Sequence, residues 1–406
     1  MNKVYTPKQL SLLRLWQHNK LRRINLLEGS VRSGKTWISL VLWAFWVATM
    51  PKDGNYLMVA KTLTSLRRNC LDLLQELVGS KNFTYSLSKK EGRLFGRLIY
   101  LEGVNDARAE SKIRGMTLQG AYCDELTLFT EDFFSMLLSR LSCAGAKLIA
   151  TTNPDSPMHW LKAKYMDRAS ALDMMSISFL IDDNTFLDPD YVAALKSEYQ
   201  STVYYDRFIL GLWVIAEGRV YPMFTDSPDR FILRGTTAGM DGQFYVSIDY
   251  GTVNPTAMQL WCIRGKEAIM LRESYFDSRK EGRQKTDEEH YNALEELTRG
   301  YYIRRVIVDP SAASFIETIR RHGNFRVWEA GNAVLDGIRV TATLLNAGML
   351  KVHESCKDTI REFGLYRWDE KKNNDTVLKE NDHAMDSLRY FCYTVLAREF
   401  RWADWR

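Results

Sequence analysis

The chain has 406 residues, 46% of them hydrophobic, enough for more than one buried core, because single cores stop growing near ~250–300 residues. Against 50 acidic residues stand 55 basic ones, and the net charge of +5 is compatible with nucleic acid without demonstrating it. The 6 cysteines are scattered with no C-x-x-C pair, so neither a zinc knuckle nor a disulfide framework is indicated and a reducing cytoplasm fits; no apolar leader core or membrane-length apolar run is seen.

In chain order, Gln9 comes first, in Tyr5-Thr6-Pro7-Lys8-Gln9, at the distance before the first strand that suits an adenine-reading glutamine. The apolar run at residues 24–27 predicts that strand. Residues 28–36 then fit the phosphate-loop spacing G-x-x-x-x-G-K-[ST]. Gly29 and Gly34 let backbone N–H groups, with those of Ser30 and Ser33 between them, turn toward phosphates; Lys35 reaches the β/γ oxygens and the Thr36 hydroxyl can ligate Mg²⁺. Arg32 inside the loop either lies along a γ-phosphate as a finger or is a solvated side chain. Residues 37–50 are strongly apolar but shorter than the ~20 residues of a membrane span, so they predict a buried helix.

Strand-like runs at 56–60, 98–101, 121–123, 147–150 and 174–179, with helical or polar stretches between, predict a mostly parallel sheet covered by helices. Asp124 and Glu125 then close a strand at the ligand-binding edge of such a sheet, Asp124 suited to hold Mg²⁺ through water and Glu125 to orient the attacking water. Two acids capping the next helix would read the same way in isolation. Thr151, Thr152 and Asn153, before Pro154, end another strand and can sense a γ-phosphate, although an ordinary strand-to-loop turn would read the same. Arg114, on a glycine-containing stretch before the acidic pair, could be a finger for a neighbouring subunit.

Residues 204–224 mix aromatic residues, Gly and Pro and read as an ordered connector. Beyond them, two strands end in carboxylates, Asp249 before Tyr250-Gly251 and Asp309 before Pro310. A third acidic group, Asp382-His383-Ala384-Met385-Asp386, opens an amphipathic helix on which His383 and Asp386 share a face. Hard oxygen donors from separate elements suit Mg²⁺ or Mn²⁺, and two such ions support phosphodiester hydrolysis. Each acid has a plainer reading: turns at Asp249 and Asp309, a helix N-cap at Asp382, and an outer partner instead of a ligand at His383.

With both halves assembled, the chain resembles the large terminase subunit of tailed bacteriophages. The resemblance is carried by the arginine-bearing phosphate loop, the 112–117 stretch leading to Asp124-Glu125, Thr151-Thr152-Asn153-Pro154, the 210–224 connector, and Asp249, Asp309 and Asp382 to Asp386. It implies a P-loop ATPase of the ASCE type with a mostly parallel sheet (residues 1–215), a connector (216–240) and an RNase H-like α/β nuclease (241–406). It further implies ATP with Mg²⁺ in the motor and Mg²⁺ or Mn²⁺ at Asp249, Asp309 and Asp386, with His383 nearby. The implied partners are double-stranded DNA, a procapsid portal, a small terminase subunit and further copies of the chain in a ring, in the host cytoplasm. Sequence-independent grip on DNA should rest on phosphate contacts, for which Arg67, Arg68, Lys89, Lys90, Arg93, Arg97 and the Lys371-Lys372 pair are the candidates, a solvated surface being the plainer reading of any single one.

Overall fold

A computed structural model describes residues 5–104, 109–372 and 375–399, and the chain divides into two compact units, Met1–Val192 with Tyr205–Ile215, and Ala193–Tyr204 with Ala216–Arg406. Residues 1–4, part of the stretch read above as lacking a leader core, lie outside the described residues.

In the first unit β1 (Ile24–Gly29), β2 (Asn55–Ala60), β3 (Phe83–Ser86), β4 (Glu91–Leu94), β5 (Arg97–Gly103), β6 (Gly120–Cys123), β7 (Lys147–Thr151) and β8 (Met174–Phe179) form one sheet, ordered β3-β4-β5-β2-β6-β7-β1-β8. From β5 to β8 every neighbouring pair is parallel. The central strands β1 and β6 are buried along their whole length, as strands covered on both faces must be, and are mostly apolar, with Asn25 and Glu28 the polar residues of β1. Because the pairs are parallel, Gly29, Cys123 and Thr151 end β1, β6 and β7 on one edge.

The helix Lys35–Thr49 packs one core against this sheet, with Trp43 and Trp46 meeting Tyr56 at centroid distances of 6.2 Å. A Cβ on Gly120 would come 2.3 Å from the Trp46 ring, so only glycine lets β6 pass beneath that indole. At the end of the same helix lies a correction: Arg97 is no DNA contact but is buried, its guanidinium donating to the carbonyls of Ala48, Met50 and Phe95. A helix C-terminus leaves carbonyls without partners, and an arginine from the adjoining strand satisfies them.

The second unit holds β9 (Ile232–Leu233), β10 (Gln243–Asp249), β11 (Thr256–Arg264), β12 (Glu267–Phe276), β13 (Ile303–Val308), β14 (Val327–Glu329) and β15 (Leu350–His353), ordered β14-β13-β10-β11-β12-β15-β9. β10, β11 and β12 run antiparallel in succession, while β13 and β14 continue parallel from β10. Three meandering strands extended by two parallel ones form the RNase H-like arrangement. The helix His383–Phe391 lies on β10 and β11, held by a Ser247–Ser387 hydroxyl pair (3.0 Å), by Gln259 Nε2 donating to Ala384 O (2.8 Å) and by stacking of Phe391 on Trp261 (4.4 Å between centroids). A face that carries polar groups into a core must pair them, and each of these is paired.

Candidate functional site

At the parallel edge of the first sheet, Gly34 takes φ +83°, the backbone turn that opens the Lys35–Thr49 helix. Lys35 is buried, and its Nζ donates to Ser30 O (2.7 Å), Gly29 O (3.2 Å) and Asn153 Oδ1 (2.9 Å). The Asn153 amide nitrogen in turn donates to Glu125 Oε2 (3.0 Å), so one amide joins the lysine to the acid. Thr151 Oγ1 donates to Asp124 Oδ1 (2.9 Å) and accepts from Glu125 N (3.3 Å), while Thr152 Oγ1 ties to Thr127. The predicted Lys35, Asp124, Glu125, Thr151 and Asn153 therefore converge.

Electrostatics follow from that burial. Desolvation holds the Asp124 carboxyl above the usual carboxylate range, against hydrogen bonds from Asn69 and Thr151. It likewise pulls the Lys35 ammonium down, against the charges of Glu125, Asp124 and Glu28. Glu125 sits at φ 54°, ψ 60° and Arg32 at φ 54°, left-handed conformations that cost non-glycine residues energy and gather at functional loops.

The other candidates of this unit divide into two exposed arginines and a set of buried or half-buried polar residues. Arg32 is exposed, its carbonyl accepting from Asn184; Arg114 is exposed and pairs with Glu110 one turn earlier in its own stretch. Gln9 uses its oxygen to accept from Thr6 N (2.9 Å) in a capping box, leaving Nε2 where a Cβ on Gly34 would meet it at 2.9 Å. Ser30 donates to Ile209 O (2.6 Å) and Ser33 to Ser30 O (2.8 Å), so both hydroxyls stabilise the loop itself. Thr36, at the first helical turn, is half-buried.

In the second unit the register Ile248↔Val308 between parallel β10 and β13 makes Asp249 and Asp309 lateral neighbours. Asp386 joins them from the His383–Phe391 helix, and all three line a cavity of about 600 Å³ with Asp382, His383, Lys379 and Tyr390. His383 Nδ1 lies 2.8 Å from Asp249 Oδ2; Tyr390 donates to Asp309 Oδ2 at 2.6 Å. Arg389 Nη2 donates to Asp386 Oδ1 at 3.0 Å. Among the described residues no three His, Cys, Asp or Glu side chains are closed round a common point.

The donor set fits a hard cation. Burial raises the Asp249 carboxyl against its His383 bond, and the charges of Asp386 and Asp309 raise it further, a repulsion that a divalent ion among the three would relieve. Burial also pushes Asp309 up, but hydrogen bonds from Tyr390 and Ser311 and the Arg389 charge outweigh it and leave Asp309 below its usual range. Desolvation would lower His383, yet its bond to Asp249 holds it above its ordinary value.

Asp382 occupies the N-cap position of its helix but makes no capping hydrogen bond. Its carboxylate pairs with Lys379 (3.2 Å), and the cap comes from buried Glu362, which accepts from Ala384 N at 2.7 Å. The capping reading of Asp382 is thus corrected: at φ −117°, ψ −5° its side chain does not reach back over the first turn, and a neighbouring helix supplies the anion.

With this geometry in place, the comparisons are specific. A family model for the terminase large subunit, T4likevirus-type, N-terminal, matches residues 26–225. The large terminase of a thermophilic bacteriophage is 35% identical over 97% of this chain and 100% of its own, with a TM-score of 0.90. The chain belongs to the large terminase family. That same thermophilic-phage protein in complex with ADP is 36% identical (97% of this chain, 100% of that one, TM-score 0.88), and in complex with ATP-gamma-S 36% (97% and 99%, TM-score 0.87). The large terminase subunit of Escherichia phage T5 is 27% identical over 118 residues, so the match spans 28% of this chain and 27% of that relative. As a large terminase subunit the protein serves in DNA packaging.

In this terminase three functional neighbours escape a motif reading. Asn69 donates to Asp124 Oδ2 (3.1 Å) from a π-helical turn, Arg67–Leu71, which interrupts the run from Leu63–Leu66 to Asp72–Val78. One extra residue in a turn re-aims side chains, and such bulges gather at functional sites. Arg389 and Tyr390 carry a signal that was present: they lie three and four residues beyond Asp386, the next turn of the face already recognised at His383 and Asp386. Of the basic groups proposed for DNA, Arg67 pairs with Asp72, Lys90 with Glu102 and Lys372 with Asp369. No helix among the described residues is long and apolar enough to cross a membrane.

Proposed function

We propose that residues 1–215 hydrolyse ATP to drive double-stranded DNA through the portal of a procapsid, that residues 216–240 connect, and that residues 241–406 cut concatemeric DNA with a Mg²⁺- or Mn²⁺-dependent endonuclease centre. The observation that carries this reading is the pair of acid-bearing centres, one of them built round a buried phosphate-loop lysine bonded to Asn153, the other on neighbouring strands of a separate sheet. The ADP and ATP-gamma-S complexes of the thermophilic-phage terminase support ATP as the nucleotide.

In the motor, the loop N–H groups of Gly29 to Gly34 and Lys35 bind the phosphates, Thr36 and Asp124 hold Mg²⁺, and Gln9 reads the adenine. Glu125 orients the attacking water. Thr151, Thr152 and Asn153 couple the presence of γ-phosphate to movement, because Asn153 must release Lys35 or Glu125 when phosphate oxygens compete for them. Arg32 in the same subunit, or Arg114 from a neighbour, neutralises developing charge. In the nuclease, Asp249, Asp309 and Asp386 hold the metal, and a bound divalent cation supplies an activated water and stabilises the leaving oxygen. His383 orients Asp249. Working in the host cytoplasm, the chain docks as a ring on the portal and receives DNA from a small terminase subunit.

The test uses the purified full chain: ATP turnover with Mg²⁺, and nicking of plasmid DNA with Mn²⁺ before and after chelation. Both activities are expected, the second lost to chelator. Cutting that persists without divalent ions would overturn the metal reading, and no turnover of ATP, with or without DNA and portal, would overturn the motor.

A further inference from the structure

On the His383–Phe391 helix, each acid of the second centre has one oxygen fixed by the same element. His383 Nδ1 contacts Asp249 Oδ2 at 2.8 Å, Arg389 contacts Asp386 Oδ1 through Nε (3.3 Å) and Nη2 (3.0 Å), and Tyr390 donates to Asp309 Oδ2 at 2.6 Å. The Tyr390 oxygen also stands 3.5 Å from Asp249 Oδ1, so one phenol touches both strand-borne carboxylates.

The fold makes room for this at a cost. Arg389 is 1% exposed, and its Nη1 finds no partner among the described residues, a penalty that packing alone does not explain. A Cβ on Gly337 would come 2.3 Å from Arg389 Cγ, so the neighbouring helix Val334–Asn346 is glycine where the arginine stem crosses it. With Oδ1 of Asp386 taken from behind, its Oδ2 faces the cavity rim, where the exposed Lys379 ammonium sits at 3.3 Å. That oxygen is already in contact with a cation.

We propose that Arg389 and Tyr390 are positioning residues that preset the three carboxylates for a divalent ion, Arg389 by fixing the rotation of Asp386 and Tyr390 by fixing the spacing of Asp249 and Asp309. The inference rests on reading Asp249, Asp309 and Asp386 as a metal centre. It asks for hydrogen bonds and a buried guanidinium, neither of which can be replaced by apolar contact, and both of which act before substrate arrives.

The test is calorimetric titration of Mn²⁺ into the full chain, with the thermal midpoint of the metal-free protein and the electron paramagnetic resonance of bound Mn²⁺ recorded alongside. Tyr390→Phe and Arg389→Lys are each expected to weaken Mn²⁺ binding about 10-fold, broaden the bound-ion signal, and leave the metal-free midpoint within a few degrees. Asp249→Asn is expected to remove binding. If Asp249→Asn binds Mn²⁺ as the parent does, the metal reading fails and this inference falls with it. If Asp249→Asn loses binding while Tyr390→Phe retains parental affinity, the metal reading stands and the positioning role is overturned. A lowered midpoint with unchanged affinity is the mark of a merely structural role and counts against the proposal in the same way. Should Arg389→Lys not fold, Tyr390→Phe decides alone.

Discussion

In the first unit Asp124 is held by side chains from two separate elements, Asn69 on a π-helical turn and Thr151 at the end of β7, with a buried lysine nearby as counter-charge. In the second unit one helix supplies a partner to each of three acids, through His383, Arg389 and Tyr390 within eight residues, and Ser311 N adds a bond to Asp309. A site supported from several elements loses one bond when one residue changes. A site supported from one helix depends on that helix keeping its register against β10 and β11, which the Ser247–Ser387 and Gln259–Ala384 bonds maintain.

The comparison breaks at once if the two centres are not chemically independent. Asp249→Asn is expected to take Mn²⁺-dependent plasmid cutting to background while ATP turnover stays at the parental level. Lys35→Ala is expected to lower ATP turnover by about 10²–10³-fold while cutting remains, measured on the same preparations. A folded Asp249→Asn protein that has lost ATP turnover would show that the division into two centres is wrong. Asn69→Ala sharpens the contrast within the first unit: with Thr151 still bonded to Asp124, we expect about a 10-fold fall in kcat for ATP with KM little changed. An unchanged kcat would leave Asn69 as a packing residue.

How far these arrangements were legible in sequence divides along the same line. The phosphate loop, β1, β6 and β7 were readable because buried parallel strands are short, mostly apolar stretches and their functional residues sit at fixed offsets from them. The hairpin β3–β4 was not, since Phe83–Ser86 and Glu91–Leu94 are four-residue strands of mixed polarity, the first of them at the edge of the sheet. The long pair β11–β12 also passed unnoticed, because β11 is buried on nearly every residue and lacks alternation. Asn69 depends on a π-helical turn that no periodicity announces, and the arginines beside it drew attention to surface charge instead. Arg97 misled for a related reason: charge in a sequence reads as exposure, whereas here three carbonyls take the guanidinium inside.

Glu198 provides the last and smallest test, as an acid of the second unit whose environment shares none of the donors found in either centre. It lies on the helix Pro189–Tyr199, its Oε2 is buried without a partner among the described residues, and burial alone pushes its carboxyl up to about 7. The raised value means that between about pH 4.5 and 7 the unfolded chain releases a proton that the folded chain retains. Folded stability therefore falls as pH rises through that window, and the contribution is fully present only below it. Glu198→Gln removes the ionisation, so the variant is expected to exceed the parent by about 1–2 kcal/mol at pH 8, a discounted figure for a half-buried group, and to match it near pH 4.5. Denaturant melts of both proteins at the two pH values check the sign. A parent that is equally stable relative to the variant at pH 8 and pH 4.5 would show that water reaches Oε2, and that burial by itself, without the like charges gathered round Asp249, does not set a carboxyl apart in this fold.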